Sequence, residues 1–288
     1  MIGQDPGRQV GGVIDRGVGL LKLAFASVLV LAFASALVRS LPHLYPTWTE
    51  VLLSSGVLTN TVAAPDELLG ALGDSLVPMV LTWPVGIFLS FGVMLQIGSA
   101  ANGATMGWLT ALGLAWRRIT PLVGCLIAYV LAFVVTFGVA LFVGGEVMRT
   151  LVFDLPADQV GVVAGLIGMA AALVAAIPLT VLFVYWCLAL PLIATENLNA
   201  LSALRRSWRL VRGNFWQTLV VVSVAGFVVF AVASLVGIAG MLFVAGTQGG
   251  PVVRATVVLL NAAAATVTTP FFLATLLAMV EYLSPRRA

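Results

Sequence analysis

Residues 161–194 run for 34 positions without an Asp, Glu, Lys, Arg or His. As a helix such a run is about 50 Å long, more than the ~30 Å hydrocarbon layer of a bilayer. Hydrocarbon offers the backbone no hydrogen-bond partners, so a segment crossing it must satisfy its own amides as a helix or as part of a closed barrel. The run is continuously apolar rather than alternating, which selects the helix. Pro178 and Pro191 interrupt it. Two crossings need ~40 residues plus a turn, so one tilted or kinked crossing is expected.

Five more runs are long enough to cross: 20–38, 76–100, 121–143, 215–245 and 251–282. Over the 288 residues, 61% are hydrophobic and 9% charged, against about 25% charged in soluble domains. A soluble globular protein is excluded, and the expected fold is all-α, a six-span polytopic membrane protein. The whole of 1–288 reads as a single membrane domain, with no room for a separate soluble catalytic domain. The first run carries Ala34-Ser35-Ala36, a small-residue pattern that resembles a signal-peptide cleavage site. Its apolar core is long and Arg39 follows closely, so an uncleaved span is the working assumption. Residues 40–76, with Pro42, Pro46, Pro65, Glu50, Asp66, Glu67 and Asp74, read as an acidic extracytoplasmic loop.

Orientation follows from where the 14 basic residues fall. With both termini in the cytoplasm, Arg8, Arg16, Lys22, Arg117, Arg118, Arg205, Arg206, Arg209, Arg212, Arg286 and Arg287 lie inside, leaving Arg39, Arg149 and Arg254 outside. The location implied is a bacterial inner membrane. The two cysteines, Cys125 and Cys187, sit in apolar runs, and the single histidine, His43, lies in a different segment. Neither metal, redox chemistry nor any other cofactor is implied, and the scattered charge implies no nucleic-acid surface.

A repeat is visible at an offset of 92 residues. Leu109-Thr110-Ala111-Leu112 followed by Trp116-Arg117 matches Leu201-Ser202-Ala203-Leu204 followed by Trp208-Arg209. Both copies precede an outward span, which makes the repeat parallel, and a decayed third copy before the first span would give three hairpins, 1–100, 101–195 and 196–288. Apolar residues recur at helical spacing, Leu109, Leu112, Trp116 and Ile119 in one copy, Leu201, Leu204, Trp208, Val211 and Phe215 in the other. Short helices lying in the headgroup layer, with arginines off the apolar stripe, are expected. Thr120-Pro121 is expected to cap the next span in the first copy, and Gly213-Asn214 to make the equivalent bend in the second.

Residues 188–217 place Pro191 near the end of a span, Glu196 soon after, the Ala-Leu-Arg-Arg-Ser-Trp helix of Ala203 to Trp208 and the Arg-Gly-Asn-Phe-Trp corner of Arg212 to Trp216. This stretch resembles the membrane-domain family of glycerophosphoryl diester phosphodiesterases and related bacterial inner-membrane proteins. The resemblance implies a polytopic membrane domain and no activity, because hydrolysis in those enzymes belongs to a separate soluble barrel.

Setting aside Lys22, Arg254 and Glu281 near their ends, no Asp, Glu, His, Lys or Arg falls in the interior of an apolar run. That argues against a proton-coupled pump and an intramembrane hydrolase, so no catalytic residue is assigned. Two sets of residues are candidates for function. Arg205, Arg206, Arg209, Arg212 and Trp208, with Arg117, Arg118 and Trp116, suit anionic lipid headgroups or serve as orientation signals. Asn261, Thr266, Thr268 and Thr269 cluster around Pro270, either as hydrogen-bonding helix contacts or as a polar path. The expected role is a non-enzymatic membrane protein engaging anionic lipid or a partner membrane protein, which could be a second copy of itself; the alternative is a transporter or lipid-translocating protein using kinked spans. The prolines at 84, 178, 191 and 270 would kink those spans, and Gly161, Ala164, Gly165, Gly168 and Ala172 form a small-residue stripe suited to close helix packing.

Overall fold

The computed structural model describes residues 6–40, 65–152, 157–246 and 251–284. Among them there is no strand. The helices are α1 (Pro6–Ser40), α2 (Pro65–Ala101), α3 (Trp108–Arg117), α4 (Ile119–Val152), α5 (Ala157–Trp186), α6 (Ala189–Glu196), α7 (Ala200–Arg212), α8 (Phe215–Gly246) and α9 (Pro251–Leu283). Six segments are long and apolar enough to cross a membrane: Val10–Ser40, Thr82–Ala101, Ile119–Val147, Leu166–Glu196, Phe215–Gly240 and Ala255–Leu283. The chain is an all-helical, multi-pass membrane protein. His43, Glu50, Asp154, Arg286 and Arg287 lie outside the described residues, and so do the side chains of Arg8, Asp158 and Arg254.

Helix α2 begins at Pro65, so the last part of the expected 40–76 loop is helical. Proline suits the first helical position, which accounts for the start at Pro65. Helix α1 is unbroken from Pro6 to Ser40, so the N-terminal stretch forms no separate surface helix among the described residues.

Residues 161–194 form one crossing, but the break is not at Pro178, which sits inside continuous α5. The break falls at Cys187–Leu188, between α5 and α6. Pro191 accounts for it. Its ring conflicts with the carbonyl four residues back, that of Cys187, and it lies in the first turn of α6, where no donor is needed. The small-residue stripe also divides differently. Gly168 and Ala172 face outward, whereas Ala171 lies against α4, where a Cβ on Gly144 would stand 3.2 Å from its own. The side chains of residues 161–165 are outside the description.

The helices fall into two compact units, Met1–Ile119 with Val220–Ala288, and Thr120–Leu219. In the first, α1 packs along α2 and α9, and α3 lies on α2. Leu20, Ala24, Val28 and Leu31 of α1 recur every three or four residues and are buried with Met94 and Ile97 of α2 and Leu277 and Ala278 of α9. The start of α1 and the end of α9 meet, with Arg16 Nε 2.9 Å from Glu281 Oε2. In the second unit α7 packs on α5 and α6, burying Val184, Leu188, Leu192, Leu204 and Val211. Gly124 of α4 permits close approach to α7: a Cβ there would stand 2.8 Å from that of Ala200. An apolar cleft of about 530 Å³ opens between α4 and α5, lined by residues that include Val135, Thr136, Ala140, Ala171 and Pro178.

Candidate functional site

Helix α7 has an inner face of Ala203, Leu204, Ser207 and Val211, all buried. Its outer face carries Leu201, Arg205, Arg209 and Arg212, with Trp208 at the edge. The expected single apolar stripe is therefore split: Leu204 and Val211 go inward, while Leu201 stays 67% exposed. Small residues decide this, since Ala203 and Ser207 let α7 approach its neighbours closely and the turn bearing Leu201 faces away. Arg205, Arg209 and Arg212 are spaced i, i+4 and i+7, so three guanidiniums emerge from one face over about 10 Å of helix.

Arg206 leaves that row. On the flank of α7, its Nη2 donates to Glu196 Oε1 at 2.8 Å, and its Nε stands 2.8 Å from Oε2 in an electrostatic contact short of an aligned hydrogen bond. An ion pair thus spans the start of the helix, and it removes Arg206 from the outward set. Asn197 makes it possible by closing α6 in the left-handed region (φ 53°, ψ 41°), a conformation asparagine tolerates better than most residues.

Below α7 the α5–α6 break frees carbonyls, and each of the two preceding the break is taken up by a side chain. Ser207 Oγ donates to the Tyr185 carbonyl at 2.7 Å, and Tyr129 Oη of α4 donates to that of Trp186 at 2.6 Å. Buried carbonyls left without a donor would cost about 1–3 kcal/mol each, so these two side chains make the break tolerable. The Tyr185 ring then stacks on Trp208 at 4.0 Å and 17°, fixing the indole beside the arginine row. Tyr129, Tyr185 and Ser207 were not among the residues singled out from sequence. A detectable signal existed for Tyr129, the only tyrosine in the 121–143 run, because a phenol in a span needs a partner.

Helix α3 is smaller. Ala111 and Ala115 are buried, and Trp116 is 66% exposed, edge-on to Phe88 with ring centroids 6.2 Å apart. Arg117 is exposed and Arg118 half-buried. Burial lowers the Arg118 pKa below the ordinary arginine value, although arginine keeps its proton in proteins. The corner beyond departs from expectation. Helix α3 stops at Arg118 (φ −104°, ψ 17°) and α4 starts at Ile119, so Thr120 lies within the first turn instead of capping it. The isoleucine takes the helical position because the break comes earlier, at Arg118. At the other corner Gly213 is right-handed (φ −86°), and Asn214 turns its amide back toward the Leu210 carbonyl at 3.5 Å rather than forward onto α8.

The polar residues of α9 bond to their own helix. Asn261 donates to the Val257 carbonyl at 2.9 Å, Thr266 to Ala262 at 2.7 Å and Thr268 to Ala264 at 3.1 Å. Thr269 is half-buried one residue before Pro270, and α9 runs on through that proline. These four residues belong to the unit of α3, whereas the α7 arginines belong to the other.

No curated protein and no solved structure matches the chain. Residues 164–284 match the family described as the membrane domain of glycerophosphoryl diester phosphodiesterase. The matched stretch begins inside α5 and ends just past α9, so it takes in the α5–α6 break, α7 with its arginines and the last two spans. Over those residues the chain is similar to that membrane domain, and the stretch takes in Pro191, the Arg-Arg-Ser-Trp helix and the Arg-Gly-Asn-Phe-Trp corner.

Proposed function

We propose that this is a non-enzymatic integral membrane protein of a bacterial inner membrane that holds anionic lipid headgroups on α7. The observation that carries the reading is the outward row of Arg205, Arg209 and Arg212 beside a Trp208 ring fixed on Tyr185. A tryptophan held at a helix surface sits at the depth of the headgroup layer, and guanidiniums at that depth meet phosphates. Each is worth about 1 kcal/mol near an anionic surface, less in high salt. The family match over residues 164–284 supports a membrane domain.

The test is native mass spectrometry of the gently extracted protein with Arg205, Arg209 and Arg212 replaced by glutamine. Loss of phosphatidylglycerol and cardiolipin adducts is expected, and full retention in a correctly inserted variant would leave the row as an orientation signal. The distribution of basic residues supports a reading with both termini in the cytoplasm, and the pairing of Arg16 near one end with Glu281 near the other is in keeping with it. Reporter fusions after Gly103 and after Ala288 should both read cytoplasmic, and a fusion in residues 41–64 should read the far side.

A further inference from the structure

A second cation is held in a different way, at the opposite end of α1 from Arg16. Arg39 lies in the last turn of α1, at the end of the Val10–Ser40 span. An arginine there ordinarily extends to water past the helix end. Instead the side chain folds back one turn. Its Nη2 donates to Ser35 Oγ and to Ser90 Oγ of α2, both at 2.8 Å, and its Nε reaches the Ser35 carbonyl at 3.4 Å.

Three further residues are shaped to this arrangement. The hydroxyls of Ser35 and Ser90 stand 2.9 and 2.7 Å from the Gly86 carbonyl, which can take their protons and leave their lone pairs for the guanidinium. Gly86 itself is required, because a Cβ there would fall 2.5 Å from Arg39 Cγ. Ser35 is fully buried. These partners are neutral, and the side chains of Asp66, Glu67 and Asp74 lie outside those described. Nη1 makes no hydrogen bond among the described residues.

The depth identifies what would meet it. Trp83, one turn before Gly86 on α2, is 55% exposed, as befits an aromatic ring at the membrane interface. At that level the abundant anions are the phosphates of lipid headgroups, and with Nε and Nη2 turned to the serines the two N–H groups of Nη1 are left for them. We infer that Arg39, held by Ser35, Ser90 and the bare backbone of Gly86, is a binding site for a phosphate group at this end of the α1–α2 pair. The site is independent of α7: its residues lie in the other unit, and either reading can fail without the other.

The experiment uses the full chain with its α7 arginines intact, titrated with phosphatidylglycerol and followed by native mass spectrometry. A parallel arm follows thermal unfolding in inorganic phosphate. Arg39→Gln and Gly86→Val should each reduce one lipid adduct at least fivefold, whereas Arg149→Gln, whose side chain is 81% exposed, should change it less than twofold. A saturable phosphate-induced shift lost in Arg39→Gln, with lipid adducts unchanged, would assign the site to free phosphate. Should Arg39→Gln fail to fold, Arg39→Lys keeps the charge without the planar guanidinium that spans the two serines and the anion, and should show an intermediate loss. Unchanged adducts and an unchanged phosphate response in the Arg39 variants would overturn the inference. So would an equal, non-additive destabilisation on neutralising Glu50, Asp66, Glu67 and Asp74 together, which would pair Arg39 within its own chain.

Discussion

Helices α3 and α7 start from the same short motif and end as different surfaces. Several counterpart positions agree in burial, since Ala111 with Ala203 and Ala115 with Ser207 are all completely buried and Leu109 and Leu201 are 66% and 67% exposed, whereas Leu204 is buried and Leu112 only half-buried. Each follows a residue in the left-handed region, Gly103 (φ 76°) after α2 and Asn197 (φ 53°) after α6, and these are the only two such residues among those described. The resemblance stops at what the motif leaves free. Helix α3 adds one exposed and one half-buried arginine, whereas α7 adds a row of three, an ion pair at its flank and a hydroxyl that reaches into the next helix. The shared motif thus accompanies a common burial of the small residues of α3 and α7, and the unmatched residues distinguish the two helices.

The comparison is broken most directly at the arginines. Replacing Arg205, Arg209 and Arg212 by glutamine should weaken anionic-lipid binding by about 3 kcal/mol, roughly a hundredfold, at low salt. Arg117→Gln on α3 should cost about 1 kcal/mol, roughly fivefold. Both are read as lipid titrations on reconstituted protein, after insertion has been verified. Equal losses from the two helices would mean that the row on α7 has no special standing.

Shared seating makes the next prediction symmetric. Leucine at Ala111 or at Ala203 has no room, and overpacking of this kind costs about 1–3 kcal/mol. Thermal unfolding in detergent should fall by similar amounts in the two variants. A variant that is tolerated at one position alone would show that the two helices are not seated alike.

The third prediction concerns the position where the copies differ chemically. Ser207 and Tyr129 hold the carbonyls at the α5–α6 break, so Ser207→Ala and Tyr129→Phe should each destabilise by about 1 kcal/mol, the scale of a single hydrogen bond in a membrane protein. Ala115, the counterpart of Ser207, faces no such break, because α2 runs unbroken to Ala101. Introducing serine there should therefore not stabilise. A gain in unfolding temperature on Ala115→Ser would contradict this account.

Six long apolar helices and the two short helices α3 and α7 were legible because long apolar runs and a tetrapeptide that recurs with one change record them directly. The position of the break in 161–194 was only half legible. Two prolines were visible, but which one opens the helix depends on whether the freed carbonyls find donors, and the donors, Tyr129 and Ser207, lie 57 and 22 residues away. Sequence spacing also gave α7 a stripe that packing divided, since the periodicity of Leu201, Leu204 and Trp208 cannot say which turn of a helix will be covered. Arg39 was counted correctly as a charge at the end of a span. Its partners could not be read, because they depend on a serine and a glycine of α2 arriving beside it.

The smallest effect is expected at Glu196. Its carboxylate contacts Arg206 at two points, with both side chains about one-third exposed. Pairs of that kind contribute 0–1 kcal/mol after desolvation and side-chain entropy are set against the attraction. Glu196→Gln should therefore lower stability by less than about 1 kcal/mol, while releasing Arg206 from its flanking position. A released guanidinium that swings to the outer face would join the row of three and strengthen anionic-lipid binding by up to about fivefold. Helix α3 supplies the contrast, because no acid in the described part of its unit is paired with Arg117. The outcome that separates the two views is the sign of the lipid effect: tighter binding on Glu196→Gln means the ion pair withholds a fourth arginine from the surface, and weaker binding means the pair holds α7 in the orientation on which the other three depend.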